Sequence, residues 1–187
     1  MSKKIYLIRH AQSEANVAQD LDNPNSYYDA RLTPFGKKQA QKANKKLNQI
    51  DFDLALCSPL TRTLETFNLI FPHLVKGALI LPFVREHATN SSEVGRQPSI
   101  LKKDFPHFNF ENLEKFWWNN NVPVDENKII VESMENLDKR VLKFKEWIKK
   151  RSEKNIALVS HGTFISRITN YLLNNCEYEI WYPENDI

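Results

Sequence analysis

The chain has 187 residues, with 26 Lys plus Arg against 23 Asp plus Glu for a net charge of +3; 41% of residues are hydrophobic and 11% aromatic. That length fits a single domain with a real core, the aromatic share argues against disorder, and so small a charge requires neither nucleic acid nor a membrane surface as partner. Cys57 and Cys176 are too few and too far apart for a disulfide framework or a Cys-rich metal site, and the apolar run Ile5–Ile8 is too short for a signal-peptide core or a membrane span, so a cytoplasmic location is expected.

Ile5-Tyr6-Leu7-Ile8 lacks polar alternation and reads as a strand buried on both faces. It breaks off at Arg9-His10, just before the Ser-led helical segment Ser13-Glu14-Ala15-Asn16. In an open parallel sheet, ligands bind outside the carboxyl ends of the strands, and a helix N-terminus offers free N–H groups to an anion. Arg9 is then a fixed positive fork and His10 a candidate nucleophile. After a turn-rich loop at Asp22–Ser26, Thr33-Pro34 opens an amphipathic helix whose inward stripe is Ala40, Ala43, Leu47 and Ile50. Phe52–Cys57 reads as a second strand, and Ser58-Pro59 repeats the N-cap and Pro pattern. Leu60, Leu64, Phe67 and Phe71 make the core stripe of the helix that follows. Arg62 lies about 200° round from Leu60 and should point to the rim where Arg9 and His10 emerge.

Gly77–Leu81 predicts a third strand, with Glu86 just beyond its end. From residue 88 to 127 the pattern loosens, and this stretch is expected to be an insertion capping the rim, within a single domain spanning 1–187. A short helix is expected over Glu111–Trp118. Arg96, Lys102 and Lys103 are candidates to meet an anionic substrate there, and Trp117 and Trp118 to wall it off, although a solvated face is the commoner role of such cations and core or cap packing that of such tryptophans. A helix resumes after Ser133 with Met134, Leu137, Val141, Phe144 and Ile148 inward. Asn155–Ser160 is another buried strand, ending at His161-Gly162 and a helix held by Phe164, Ile168 and Leu172. The tail around Tyr178–Tyr182 predicts a last strand of either direction.

Arg9-His10-Ala11-Gln12-Ser13-Glu14-Ala15-Asn16 resembles the Arg-His-Gly-Glu/Gln-Ser-x-x-Asn signature of the histidine phosphatase, or phosphoglycerate mutase-like, superfamily, with Ala11 where Gly is usual. Ser58–Thr66 resembles the Ser-Pro-x-x-Arg-x-x-Glu-Thr segment that carries that family's second phosphate-binding arginine, here Arg62. His161-Gly162 is similar to its second active-site histidine, and the loop at Glu86 to the one that holds its acidic proton donor. The resemblance implies a three-layer α/β/α sandwich on a mainly parallel sheet. It also implies a phosphomonoester phosphatase in which His10 takes the phosphoryl group covalently, Glu86 serves as acid and then base, and Arg9, Arg62 and His161 neutralise the spread charge. Asn16 matches a family phosphate contact, and Gln12, Ser13, Gly162 and Thr163 at the helix starts are expected substrate contacts. No cofactor or metal is expected, because arginines do the neutralising and His73, His87 and His107 lack ligand spacing. The expected partner is a small phosphorylated molecule, with no nucleic acid, no membrane and the oligomeric state left open. A phosphoglycerate mutase and a non-catalytic phosphate-binding module are the alternatives. A Cys-x5-Arg phosphatase loop fits poorly, since only four residues separate Cys57 from Arg62 and Pro59 removes an amide.

Overall fold

A computed structural model describes residues 2–19, 27–120 and 129–185; the loop expected at Asp22–Ser26 and residues 121–127 of the expected cap lie outside them. Strand β1 (Lys4–Arg9) pairs in parallel with β4 (Asn155–Ser160), placing Arg9 opposite Ser160. Beyond β4 come β2 (Leu54–Cys57) and β3 (Leu79–Ile80), both parallel, and on the far side of β1 lies β5 (Tyr178–Trp181), antiparallel. The order is thus β3-β2-β4-β1-β5, and the tail strand runs against the rest. Ile5, Leu7 and Ile8 of β1 and Ile156 to Val159 of β4 are fully buried, which is why neither sequence alternates.

Helices cover both faces. On one, α2 (Pro34–Leu47) and α3 (Thr61–Ile70) bury Ala40, Leu47, Leu64 and Phe67 against Ala157 and Val159. On the other, α5 (Met134–Lys149) and α6 (Gly162–Thr169) bury Leu137, Phe144, Ile148 and Phe164 against Leu7 and Leu158. This is the expected three-layer α/β/α sandwich. The chain leaves β1 through the short α1 (Glu14–Gln19) toward the first face and leaves β4 toward the second. Between those diverging ends opens the crevice that such a sheet offers to a ligand. No helix of the described residues is long and apolar enough to cross a membrane.

Local signals succeed where side chains stay near their own backbone. Thr33 accepts from the Gly36 N–H at 2.9 Å and Ser133 from that of Asn136 at 3.2 Å, as N-caps should. Ser58 departs from the pattern, because α3 starts at Thr61 with Leu60 as its N-cap and the Ser58 hydroxyl turns to His161. Met134 and Leu172 are exposed rather than core, the latter lying past the left-handed C-cap Asn170 of α6. The expected helix at Glu111–Trp118 is mostly turns ending in a 3₁₀ turn at Trp117–Asn119, and the real helix of this region is α4 (Pro98–Asp104).

Of the stretch expected as a cap, Phe108, Phe110, Leu113, Trp117 and Trp118 join the core on the α3 side, with Phe108 and Phe67 rings 5.7 Å apart. Its aromatic residues have too much apolar surface to leave over a wet rim. Of its described residues, only Thr89, Asn90, Ser92 and Glu93 from its start reach the crevice.

Helix α2 is drawn tight against the loop after β1. A Cβ at Gly36 would lie 2.1 Å from the Gln12 carbonyl oxygen, a backbone atom that cannot step aside. Gly36→Ala is therefore expected to destabilise by about 3 kcal/mol, lowering the melting midpoint by roughly 6–12 °C. Gly77→Ala, where a Cβ meets nothing within 4 Å, should stay within about 0.5 kcal/mol. Paired thermal melts check both.

Candidate active site

His10 follows β1 directly, and its N–H donates to the Ser160 carbonyl at 3.0 Å, so the β4 pairing continues into the site. The ring is 3% exposed. Its Nδ1 lies 2.8 Å from the Ala11 carbonyl, which can only accept; Nδ1 therefore carries the hydrogen and Nε2 keeps its lone pair. Burial first, then the Arg62 charge and to a smaller degree that of Arg9, push the His10 pKa well below the usual imidazole range, against the opposing pull of the Ala11 bond. A neutral imidazole with an unprotonated Nε2 results.

Arg62 occupies the rim as the helical phase predicts, and it is held from three sides. Its Nε donates to His10 Nε2 at 3.3 Å, one terminal nitrogen to the Ser92 carbonyl at 2.7 Å, and the other to the buried Glu93 carboxylate at 3.3 Å. Arg9 donates to the Leu173 carbonyl at 2.6 Å, while its Nε is buried with no partner among the described residues. A Cβ at Gly162 would press on the Arg9 guanidinium at 3.2 Å, so glycine there lets Arg9 lie flat across the start of α6.

Glu86 sits at that same helix start. Its carboxylate accepts from the N–H groups of Thr163 and Phe164, each at 3.1 Å, and from that of His87 at 2.8 Å. Asn16 accepts through Oδ1 from the Ser13 N–H, the Ser13 hydroxyl and the Asn175 amide, leaving its own amide hydrogens for the cavity it lines.

These groups enclose a polar cavity of about 230 Å³ lined by Arg9, His10, Ser13, Asn16, Arg62, Glu86, Gly162 and Thr163. Two expected site residues stand elsewhere. His161 is fully buried behind His10, their rings 5.2 Å apart and its Nε2 2.8 Å from the Ser58 hydroxyl. Gln12 turns to α2, its side-chain oxygen accepting from the Thr33 hydroxyl at 2.8 Å and its backbone N–H donating to Gln39. Arg96, Lys102 and Lys103 do not reach the cavity either: Arg96 pairs with Asp29 and Asp104, and Lys102 donates to the Phe108 carbonyl. The Ala11 methyl points into the core, and its N–H donates to Thr66, so alanine in place of glycine takes no room from a ligand. Cys57 is buried and its thiol pushed far up by that burial, which disposes of a cysteine nucleophile. A larger groove of about 550 Å³ between α2 and Tyr178 contains none of the expected site residues.

The sequence profile of the histidine phosphatase superfamily (branch 1) matches residues 5–186. The chain belongs to that superfamily. An Arabidopsis thaliana phosphoglycerate mutase-like protein 1 is 27% identical over 95% of this chain and 74% of its own length. The adenosylcobalamin/alpha-ribazole phosphatase of Escherichia coli K12 is 26% identical over 96% of this chain and 83% of its own. In fold, the alpha-ribazole phosphatase of Shigella flexneri superposes with a TM-score of 0.64 at 22% identity, covering 95% of this chain and 89% of that one. A histidine phosphatase is thus an enzyme fold with phosphatases and mutase-like proteins as its relatives.

Among the cavity residues of this histidine phosphatase that escaped the motif reading are Thr89, Asn90, Ser92 and Glu93. A signal existed, because Asn90-Ser91-Ser92-Glu93 is a capping box and folds as one, Asn90 Oδ1 accepting from the Ser92 N–H and Glu93 from the Asn90 N–H. Asn175, whose amide donates to the His10 carbonyl at 3.0 Å, had none.

The two buried imidazoles couple the site to stability. Burial, then Arg62, also lowers the His161 pKa well below the usual range. In the window between those lowered values and the unfolded value of 6.5, the unfolded chain binds protons that the folded chain does not. Stability is therefore complete above that window and lost as pH falls into it. Urea unfolding should show a loss of up to about 1.4 kcal/mol per pH unit for each imidazole below about pH 6.5. His161→Asn should roughly halve that slope; an unchanged slope would contradict the assignment.

Proposed function

We propose that the protein hydrolyses a small phosphomonoester through a phosphohistidine on His10. The observation that carries this reading is the neutral His10 ring, whose unprotonated Nε2 meets Arg62 at the edge of a cavity that Arg9 also lines. The Nε2 lone pair attacks phosphorus as the bond to the leaving oxygen breaks, and Arg62 exchanges its contact with Nε2 for the equatorial oxygens. Arg9 and Asn16 hold the same oxygens.

Glu86 delivers the proton that the leaving alkoxide needs and later removes one from the water that attacks phospho-His10. The substrate itself can supply the first proton, since a phosphomonoester keeps its second proton until about pH 6. The cavity favours hydrolysis over mutase chemistry. Among the described residues it presents no lysine, and no arginine beyond Arg9 and Arg62, to bind a substrate carboxylate. Its size and polarity suit a small hydrophilic ester better than a bulky one.

Turnover of an aryl phosphate in the presence of a chelator tests this reading. Activity should survive the chelator, vanish in His10→Ala and fall by roughly 10²- to 10³-fold in Arg62→Ala. Rapid acid-free quenching should trap a phosphoenzyme that is stable to alkali and labile to acid. Activity retained by His10→Ala would overturn the phosphohistidine, and brisk interconversion of 2- and 3-phosphoglycerate would overturn hydrolysis as the main reaction.

A further inference from the structure

Behind Glu86, on the side away from the cavity, lies a buried ion cluster that the reaction itself does not use. Arg140 of α5 is 8% exposed and Glu132, just ahead of that helix, is 9% exposed. They meet in a bidentate pair, Nε to Oε1 at 2.7 Å and the terminal nitrogen to Oε2 at 2.5 Å. Burial alone would raise the Glu132 pKa, but its bonds to Arg140 hold it below the usual carboxylate range. A pair so deeply placed has little net worth for stability when a hydrophobic pair of the same volume would serve. Its use has to be sought in what else it holds.

The remaining Arg140 donors all go to one backbone segment. One terminal nitrogen donates to the carbonyls of Phe83 and Arg85, at 3.0 and 2.9 Å, and the other adds the carbonyl of Glu86 at 3.2 Å. With the two bonds to Glu132, all five guanidinium N–H groups are engaged. The guanidinium also lies 5.7 Å over the Phe164 ring, and the Phe164 N–H is one of the three donors that orient the Glu86 carboxylate. Glu132 closes the frame from its own backbone. Its N–H donates to the Ala88 carbonyl at 2.8 Å, and its carbonyl lies 2.8 Å from His87 Nε2. The residues before Glu86 are therefore fixed to the Arg140 side chain and those after it to the Glu132 backbone.

We propose that the Arg140–Glu132 pair is a positioning device for Glu86, setting the carboxyl group's reach to the leaving oxygen while touching no substrate itself. This inference rests on the reading of Glu86 as proton donor, and it makes a claim that a purely structural role would not. Misplacing a proton donor matters in proportion to how badly the leaving group needs the proton. A nitrophenolate leaves unaided; an alkoxide does not.

The test is kcat/KM, which reports the steps up to transfer of the phosphoryl group to His10, across phosphate esters running from a nitrophenol through phenol to a simple alcohol. Lysine in place of Arg140 keeps the charge but cannot span five acceptors. Arg140→Lys should lose about 10- to 100-fold more on the alkyl ester than on the nitrophenyl ester. Glu86→Gln should steepen the dependence in the same sense, and the double variant should be no worse than Glu86→Gln alone. Glu132→Asp, which draws the pair back by one methylene, gives a second reading of the same slope if Arg140→Lys fails to fold. A uniform loss along the series in the folded variants, or a double variant that loses as the product of the singles, would overturn the positioning role. A Glu86→Gln variant with no leaving-group dependence would overturn Glu86 as the acid, and this inference with it; dependence in Glu86→Gln but in neither pair variant would overturn this inference alone.

Discussion

The in-register parallel pairing of β1 with β4 is the constraint on which the site depends. With Arg9 opposite Ser160 and the His10 N–H bound to the Ser160 carbonyl, the next residue on each strand is a histidine, and the two rings come to 5.2 Å. A slip by one residue would send one ring to the opposite face of the sheet. The fully buried Ile5, Leu7 and Ile8 and the run Ile156–Val159 resist that slip, because these apolar side chains would lose their places in the core. The chemistry at the strand ends is thus held by the hydrophobic content of the strands.

Around that pair the electrostatics run against folding. Two imidazoles and the Arg62 guanidinium are almost wholly withdrawn from water, with Arg9 partly so. Such an arrangement survives because the rings stay neutral and the guanidinium groups find oxygen: Arg62 on Ser92 and Glu93, Arg9 on Leu173. The same neutrality that makes burial tolerable leaves the His10 lone pair available. Glu93 matters here in a way its position in a loop does not suggest. Its carboxylate takes the N–H groups of Thr89 and Asn90 with one oxygen and Arg62 with the other, so the turn after Glu86 and Arg62 share one anchor.

Much of this was legible because the informative residues sit at strand ends, where hydrophobic runs, Pro and N-cap residues mark the boundary. His10, Arg9 and Arg62 were placed by that logic, and Arg62 by helical phase alone. Residues whose role is set by distant partners were not. Ser58 carries a cap signature, yet its hydroxyl serves a histidine 103 positions away. Gln12 lies two residues from His10 in sequence, but its side chain turns to Thr33 at the start of α2, which packs close at Gly36. Arg96 looks like a free surface cation until the fold brings Asp29 to it, and Trp117 looks like a wall until Gly95 makes room for its ring. Arg140 reads as one more polar residue on an amphipathic helix; only the tertiary structure shows three backbone carbonyls waiting for it.

One backbone choice shows how firmly His10 is held on its remaining side. Cys176, just before β5, adopts a left-handed φ of 63°, which for a residue with a Cβ costs on the order of 1 kcal/mol. In that conformation its N–H reaches the carbonyls of both Arg9 and His10, at 3.1 and 3.3 Å, while the neighbouring Asn175 amide bonds the His10 carbonyl and Asn16. The bonds offset the strain and do so at one place, the peptide that orients the imidazole. His10 is therefore gripped through its N–H by β4, through its Nδ1 by Ala11 and through its carbonyl by the approach to β5. Of its polar atoms, only Nε2 is left with a partner that can let go, and that partner, Arg62, is the group a phosphoryl oxygen would recruit.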